Sequence, residues 1–333
     1  MLEIAPLQRG FDLPKGNIQP GDIPVVYSNG IMSTHNQSKC IGPGVITGRS
    51  GTIGSFTFIP NGPYWPHNTA LWVTNFCGNV PLFIYHLYSH IGIVRFASGS
   101  GVPTLNRNDV HKHITSIPSN LREQNKIASF LSLLDDRIEI QSKIIEEQET
   151  LLRSLRHKIY SRVQAESQCT IADVLCYEQP TKYLVTDTDY TDDDSQVPVL
   201  TANKAFILGY TTENFGIYDK GPCIILDDFT LDCKYVDFKF KVKSSAIKIL
   251  RAKAKTNLRF IFEYFRFLEL NTTEHRRHYI AEIEPMSILL PSNEEIYRIA
   301  RLFTALDERL EAARKELKIL ESQKMYMLQK MFI

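Results

Sequence analysis

The sequence lacks the marks of several protein classes. Its six cysteines, Cys40, Cys77, Cys169, Cys176, Cys223 and Cys233, form no Cys-x-x-Cys pair, and their spacings fit no common zinc pattern. No structural metal and no cofactor are therefore expected. The opening stretch MLEIAPLQRGFDLPKG has no basic-then-apolar signal segment, and no run of about 18 apolar residues occurs. This reads as a cytoplasmic chain with reduced thiols and no membrane span. Charge is balanced at 38 basic against 37 acidic residues, a net +1. That total excludes little, because a nucleic-acid binder carries its basic residues in local patches. What is present is ordinary for a globular protein: 43% hydrophobic and 23% charged over 333 residues, enough for about two domains with cores of their own.

Two segments have no glycine or proline beyond an opening Pro-Ser-Asn. One runs from Ile117, the other from Leu290. Both carry Ile-Ala (Ile127-Ala128, Ile299-Ala300), then Leu-Asp-acid-Arg-apolar (Leu134 to Ile138, Leu306 to Leu310). In the first, positions 127, 131, 134, 138, 141, 145, 148, 152, 155 and 159 step alternately by four and three. Positions 299, 303, 306, 310, 313, 317, 320, 324, 327 and 331 do the same in the second. This is a coiled-coil seam of more than four heptads. Each helix of roughly 40 residues would span about 60 Å at about 1.5 Å per residue. Gln141, Gln148 and Lys324 are polar seam positions, read either as exceptions near solvent or as register-setting residues. A domain of about 120 residues, with a radius of gyration near 14 Å, cannot carry the chain back along a whole helix. The two helices are therefore expected to run antiparallel, with a globular domain at each end.

The regions before the helices read as diverged copies. VVYSNGIMSTHN, GPGVITGRSGTIG and LFIYHLYSHIG in the first match PVLTANKAFILGYT, KGPCIILDDFTLD and RFIFEYFRFLEL in the second, in order and approximate spacing. Short β-rich runs broken by Gly, Pro and Asn predict a mixed, mainly antiparallel sheet in each. The aromatic runs Phe83–Tyr88 and Phe260–Phe267 predict short buried helices. The expected fold is α+β: domains at 1–117 and 169–289, each followed by a long helix, at 118–163 and 290–333.

This doubled order resembles the specificity subunit of type I restriction–modification systems, over essentially the whole chain. The resemblance rests on SGSGVPTLNRNDVHKHITSIPS followed by LREQNKIASFLSLLDDRI, and on HYIAEIEPMSILLPS followed by EEIYRIARLFTALDERL. It implies that each domain reads half of a split double-stranded DNA site and that the helices fix the gap. It further implies that the helices dock two modification methyltransferase subunits, which a restriction motor–nuclease subunit joins. Two departures stand out. The second copy has Ile296-Tyr297 near the place of Glu123-Gln124, and the first domain starts abruptly, so its opening strand is expected to be short or supplied from elsewhere.

The residues themselves offer binding candidates. Lys239, Lys241 and Lys243 alternate with apolar neighbours, which suits either a strand facing phosphates or a lysine-protected edge. In the first domain Ser98 and Ser100 lie in a Gly-rich stretch leading to Thr104, Asn106 and Arg107. Gly permits close backbone approach, and Arg and Asn can pair base edges. Arg49, Ser50 and Asn68 are further candidates. Asn29 and the Asn203-Lys204 pair occupy equivalent places in the two copies, as readers or as a shared turn. The helix starts, with Arg122, Glu123, Gln124, Arg298 and Arg301, are candidates for methyltransferase docking or ordinary capping.

Catalytic signals are thin. Asn61-Gly62-Pro63-Tyr64 lacks the first proline of a methyltransferase (Asp/Asn)-Pro-Pro-(Phe/Tyr) loop, and no P-loop or Gly-rich cofactor loop stands in context. Asp237-Phe238-Lys239, on an alternating run with Asp227 and Asp228 upstream, is the one nuclease-like acid-x-Lys worth carrying as an alternative. A coiled-coil scaffold without a DNA role is the other. A non-catalytic binding subunit is the expectation.

Overall fold

The computed structural model describes residues 1–99, 101–201, 205–253, 256–272, 274 and 276–332. The elements in chain order are β1 Leu7–Arg9, β2 Ile23–Tyr27, β3 Gly30–His35, β4 Cys40–Ile41, β5 Gly44–Gly48, β6 Phe56–Ile59, β7 Pro63–Pro66, β8 Ala70–Val73 and α1 Pro81–Ile91. There follow β9 Ala97–Ser98, β10 Thr104–Leu105, α2 Arg107–His111 and the long α3, Leu121–Tyr160. The second half contributes β11 Ser167–Thr170, α4 Ile171–Val174, β12 Leu175–Glu178, β13 Val197–Leu200, β14 Ile207–Thr211, β15 Cys223–Asp227, β16 Cys233–Val236, β17 Lys241–Val242, β18 Ile247–Ala252, α5 Leu258–Leu268, β19 Ser287–Leu290 and the long α6, Asn293–Met331. The chain forms two compact units, Met1–Lys143 with Lys315–Ile333, and Ile144–Arg314. Among the described residues no helix is long and apolar enough to cross a membrane.

The first unit holds an antiparallel sheet in the order β1-β8-β5-β6 and a second sheet, β3-β2-β7-β4, in which β2 and β7 run parallel with Val25 opposite Trp65. The short opening strand β1 pairs with β8 through three residues. The second unit repeats this plan. Its sheets are β12-β18-β15-β16, antiparallel, and β14-β13-β17, whose parallel pair sets Val199 opposite Lys241.

Each unit closes its core with a short aromatic helix pinned between sheet and long helices. Phe83, Ile84, Leu87 and Tyr88 of α1 are fully buried with Val45 and Leu71 of the sheet, Ala128 and Leu131 at the start of α3, and Leu328 and Phe332 at the end of α6. In the second unit Phe260, Ile261 and Phe265 of α5 meet Ile224 and Leu250, with Leu152 and Tyr160 late in α3 and Ile299 and Phe303 early in α6. The start of one long helix thus packs with the end of the other in both units, the antiparallel order that the connection lengths require. All twenty seam positions are buried or half-buried. Each fully buried Leu, Ile or Phe contributes about 1.5–3 kcal/mol, so the seam and the aromatic helices supply a large share of the folding energy. The Pro-Ser-Asn openings cap these helices in two ways: the Asn120 side chain accepts from Arg122 N (2.9 Å), and Ser292 Oγ from Glu295 N (3.2 Å).

The two junctions share geometry but differ in polar chemistry. Phe332 lies 5.2 Å from Phe83, as Tyr160 lies 5.2 Å from Phe260. Phe332 also meets His90, as Tyr160 meets Phe267. One turn earlier in each long helix, Leu328 therefore stands where Arg156 stands in the other unit. Across α1 and α5, the equivalent residues are His86 and Glu263. Arg156 Nε donates to Glu263 (2.7 Å), which also accepts from Arg259 (2.7 Å), while Asp307 holds Arg259 and lies 3.7 Å from Arg266. In the first unit His86 bonds Ser132 Oγ at 3.1 Å and lies 3.9 Å from Asp135. Burial pushes its imidazole down to about 4, against the pull of Asp135 and with the push of Lys324, so it is neutral at physiological pH. Lys324, the polar seam position, pairs with Asp135.

Candidate nucleic-acid interface

The segment leaving β1 shapes a basic surface of the first unit. A Cβ on Gly10 would meet His67 O at 2.2 Å and Pro66 O at 2.4 Å, so only glycine lets this backbone lie flush against the turn after β7. Phe11 N donates to Pro66 O (2.8 Å) and Gly10 N to Ala70 O (3.0 Å). The docking brings Asp12 beside the turn residue Asn68, whose amide donates to its carboxylate, with Arg9 at 3.4 Å. On the other flank, Arg49 N donates to Thr69 O (2.8 Å), Leu105 N to Arg49 O (2.7 Å), and Ser50 bridges Thr104. These bonds tie the β9–β10 hairpin to the end of β5. Asn106 caps α2, accepting from Asn108 N at 3.0 Å.

Three adjoining concavities result. One, of about 650 Å³, is lined by Gln8, Thr74, Arg107, Asn108, His111 and Lys112 among others. The next, of about 780 Å³, shares Gln8 and Arg107 with it and adds Arg9, Arg49, Ser98, Thr104 and Asn106. The third, of about 940 Å³, shares Asp12 with the second and adds Lys15, Tyr27, Met32, His67 and Asn68. The described lining residues include Arg9, Lys15, Arg49, Arg107 and Lys112 and one carboxylate, Asp12; Lys112 is also 3.0 Å from Asp109, just outside the lining. Burial works against a charge on the two lining histidines. His111 Nε2 accepts from Leu7 N (2.9 Å), and burial, then Arg107 and the N-terminus, lower its pKa. Burial likewise lowers that of His67, against the pull of a backbone bond and Asp12. A groove of this kind suits a polyanion, with phosphates on the Arg and Lys heads and base edges within reach of Asn, Asp, Ser and Thr.

Of the first-unit candidates read from sequence, Arg49, Ser98, Thr104, Asn106 and Arg107 converge on the central concavity and Asn68 on the third. Ser50 contributes its backbone bridge beside them. Asn29 is exposed in the turn between β2 and β3. Ser100, Asn203 and Lys204 lie outside the described residues. Arg9 and Asp12 went unnoticed in the sequence; the glycine between them is the one local sign that backbone passes close to another segment there.

In the second unit the lysine face is corrected. Strand β16 ends at Val236, and residues 237–239 form a bend, so Lys239, Lys241 and Lys243 do not share a strand face. Lys241 is fully buried: it pairs with Glu213, donates to Phe215 O (2.8 Å) and lies over the Phe215 ring. A carboxylate 28 residues earlier in the chain makes this burial tolerable, which alternation cannot reveal. Lys239 is exposed and 2.9 Å from Asp219. Lys243 is exposed, its ammonium 5.3 Å from the Tyr190 ring. A separate open cleft of about 1200 Å³ in this unit is lined by Lys220, Arg251, Arg259, Arg298 and Arg301, with Glu294 and Glu308.

The same bend removes the strand on which Asp237 and Lys239 were to share a face. Asp227 and Asp228 are buried in structural roles. Asp227 accepts from Phe229 N and Thr230 N, and Asp228 pairs with Lys248 at 3.2 Å while accepting from His278 N and Tyr279 N. No group of three or more metal-ligating side chains occurs among the described residues.

At the helix starts Arg122 and Glu123 are exposed, Arg298 pairs with Glu295 (2.6 Å), and Arg301 is exposed at the cleft rim. Gln124 is corrected: it is buried and cannot face a partner. Its side chain donates to Asn79 Oδ1 and Pro118 O (2.8 Å each) and accepts from Val80 N (2.9 Å), fastening α3 to the start of α1. Exposed apolar side chains do line the long helices. They include Phe130, Leu133, Ile140, Ile319, Met325 and Tyr326 in the first unit, and Leu151, Tyr297 and Leu302 in the second.

Residues 3–150 match the family described as the type I restriction modification DNA specificity domain. The chain is 42% identical over 158 residues to the EcoR124I/EcoR124II specificity subunit of Escherichia coli, a match covering 43% of this chain and 39% of that protein. The match therefore spans well under half of that relative's length. The fold is similar to the crystal structure of the type I restriction–modification S subunit from M. genitalium, with a TM-score of 0.73 at 16% identity over 99% of this chain and 94% of that one. A structure described under complex assembly and conformational transition of the type I restriction–modification system gives a TM-score of 0.50 at 13% identity, over 87% of this chain and 81% of that one.

Proposed function

We infer that this chain is a specificity subunit of a type I restriction–modification system, its non-catalytic, DNA-reading component; the match of residues 3–150 to the DNA specificity domain and the shared fold support this reading. Each globular domain, 1–117 and 169–289, reads one half of a bipartite double-stranded site, and the helices, 118–163 and 290–333, set the gap between the halves. The observation that carries this reading is the duplication: one sheet order, one parallel strand pair and one aromatic helix recur in the same sequence relation to a long helix. A repeated reading module suits a two-part site. The groove of the first unit supplies the electrostatics, with Arg49, Arg107 and Lys112 placed for phosphates.

Two methyltransferase subunits dock on the outer faces of the helices. Phe130 and Leu133 stand nine and twelve residues into the first long helix, as Leu302 stands nine residues into the second. Apolar side chains at matching places suit two copies of one partner, with Arg122, Glu123, Arg298 and Arg301 as the polar surround. A restriction subunit would join that complex, in the cytoplasm.

The test is a methylation map. The chain is co-expressed with its neighbouring methyltransferase gene, and modified adenines are located by long-read sequencing. A split motif of constant gap that vanishes without this chain is expected. Adding one heptad to both helices lengthens each by about 10.5 Å, so the gap should grow by about three base pairs at about 3.4 Å each. An unchanged gap refutes the ruler, and methylation indifferent to this chain refutes the DNA-reading role.

A further inference from the structure

We propose that Asp12 and Asn68 form the base-reading pair of the first domain, selecting a base that presents an exocyclic amino group in the major groove, adenine or cytosine. The proposal rests on the DNA-reading role above and names where in the groove the reading is done.

The argument begins with charge. Asp12 is the one carboxylate among the described residues lining three adjoining basic concavities, and it stands where the second and third meet. Its side chain is 70% exposed, so no packing requirement holds an acid there. Arg9, at 3.4 Å and itself half exposed, offsets it only in part. In a groove built for phosphates, an exposed carboxylate repels every duplex alike unless a donor on the DNA meets it. The donors that DNA offers in the major groove are the amino groups of adenine N6 and cytosine N4, and a carboxylate is a fit acceptor for cytosine N4. Guanine and thymine present acceptors at the corresponding positions and would face the carboxylate unfavourably. Asp12 is thus placed to discriminate rather than to hold.

Asn68 completes the pair. Its Nδ2 donates to Asp12, which fixes the amide plane and leaves Oδ1 and the second N–H for a ligand. One acceptor and one donor in a fixed plane is the arrangement by which Asn reads adenine N6 and N7. Both residues sit on stiff backbone. Gly10 presses Phe11–Asp12 against the His67 turn, with Phe11 bridged to His67. His67 is held by the Tyr27 ring, centroids 4.2 Å apart, and by Thr69 Oγ1 at 3.0 Å. A reader preorganised from both sides loses little freedom on binding.

The full chain, co-produced with the methyltransferase subunits of its system, is mapped by long-read sequencing as wild type, Asp12→Asn, Asn68→Ala and the double variant Arg107→Ala/Lys112→Ala. Asp12→Asn and Asn68→Ala should change or relax one or two base pairs in one half of the motif. Preference there should fall on the order of tenfold to a hundredfold, with the other half and the gap intact. Arg107→Ala/Lys112→Ala should lower methylation at every site and leave the motif unchanged. If Asp12→Asn and Asn68→Ala both keep the wild-type motif, or merely methylate all sites less, the proposal is overturned while the DNA-reading role stands. If the wild type itself yields no split motif, the DNA-reading role fails first. Asp12→Asn is isosteric at an exposed position, and a melting temperature equal to wild type confirms that the fold is kept.

Discussion

Removing the charge of Glu263 should cost the second unit a large share of its stability. It is fully buried on α5 and accepts from Arg156 and Arg259 at 2.7 Å each. In Glu263→Ala, Arg259 keeps Asp307, but the guanidinium of Arg156, only 6% exposed, keeps no carboxylate among the described residues. It still lies over the Phe303 ring, 5.6 Å away. Stranding a buried charge in this way costs about 3–5 kcal/mol. Arg156→Leu removes the other end of the same pair and should cost far less. Glu263 retains Arg259, and the leucine adopts the chemistry of Leu328 in the first unit. A charged hydrogen bond of about 1.5–3 kcal/mol is lost, and burial of a leucine returns about 1.5–3 kcal/mol. The double variant Arg156→Leu/Glu263→Leu leaves no uncompensated charge of the pair and should recover most of the Glu263→Ala loss. For a unit of this size about 1 kcal/mol moves the midpoint by roughly 2–4 °C. Calorimetry should therefore show Glu263→Ala melting roughly 6–20 °C lower and Arg156→Leu close to wild type. Equal losses in the two single variants, or a loss under about 1 kcal/mol in Glu263→Ala, would refute the asymmetry.

Two further outcomes follow from buried polar groups. Gln124→Ala should destabilise the first unit by about 1–3 kcal/mol, because Val80 N–H and Asn79 lose their partner; Arg122→Ala, at an exposed position, should stay within about 0.5 kcal/mol in the same thermal melts. Glu213 behaves as a pH-linked clamp. Burial raises its pKa, but Lys241, the Thr186 hydroxyl and the amides of Asp187 and Thr186 outweigh that and hold it down at about 2, against an ordinary 4.5. A depressed carboxylate stabilises fully above its unfolded pKa and loses that contribution as pH falls through the folded value. The urea-unfolding difference between wild type and Glu213→Gln should thus be largest above pH 4.5 and shrink toward pH 2; a difference that ignores pH over that window contradicts the clamp.

Apolar order was legible because it is periodic. The alternation of four and three from Ile127 and from Ile299 predicts the seam, and every seam position is buried or half-buried. The runs around Phe83 and Phe260 predict α1 and α5, because aromatics at helical spacing need a surface to cover. Polar burial was not legible. Lys241 reads as one face of an alternating strand, yet β17 has only two residues and the lysine turns inward to Glu213. Gln124 reads as an exposed helix-start residue, yet three bonds to Asn79, Val80 and Pro118 hold it inside. In both cases the deciding partner lies in another element, beyond the reach of a local pattern. The groove behaves similarly. Arg49, Thr104, Asn106 and Arg107 are candidates by their chemistry, but their convergence with Arg9 and Asp12 depends on strand order and on one glycine contact.

The two units differ where a duplicated fold is free to diverge. Apolar packing is conserved between them down to ring pairs: Phe83 with Phe332, Phe260 with Tyr160. Those positions are constrained together, since a change of volume at one is felt by its neighbours in a close-packed core. Polar positions carry no such shared constraint; each needs only that its own partners be satisfied. Hence His86 with Ser132 in one junction faces Glu263 with Arg156 in the other, and Trp65 beside Val25 is replaced by Lys241 beside Val199. The groove residues of the first unit lie at the least constrained end of this scale. Asp12 and Asn68 depend on little beyond each other and a fixed backbone, so substitutions there should alter the base that is read and leave the scaffold standing.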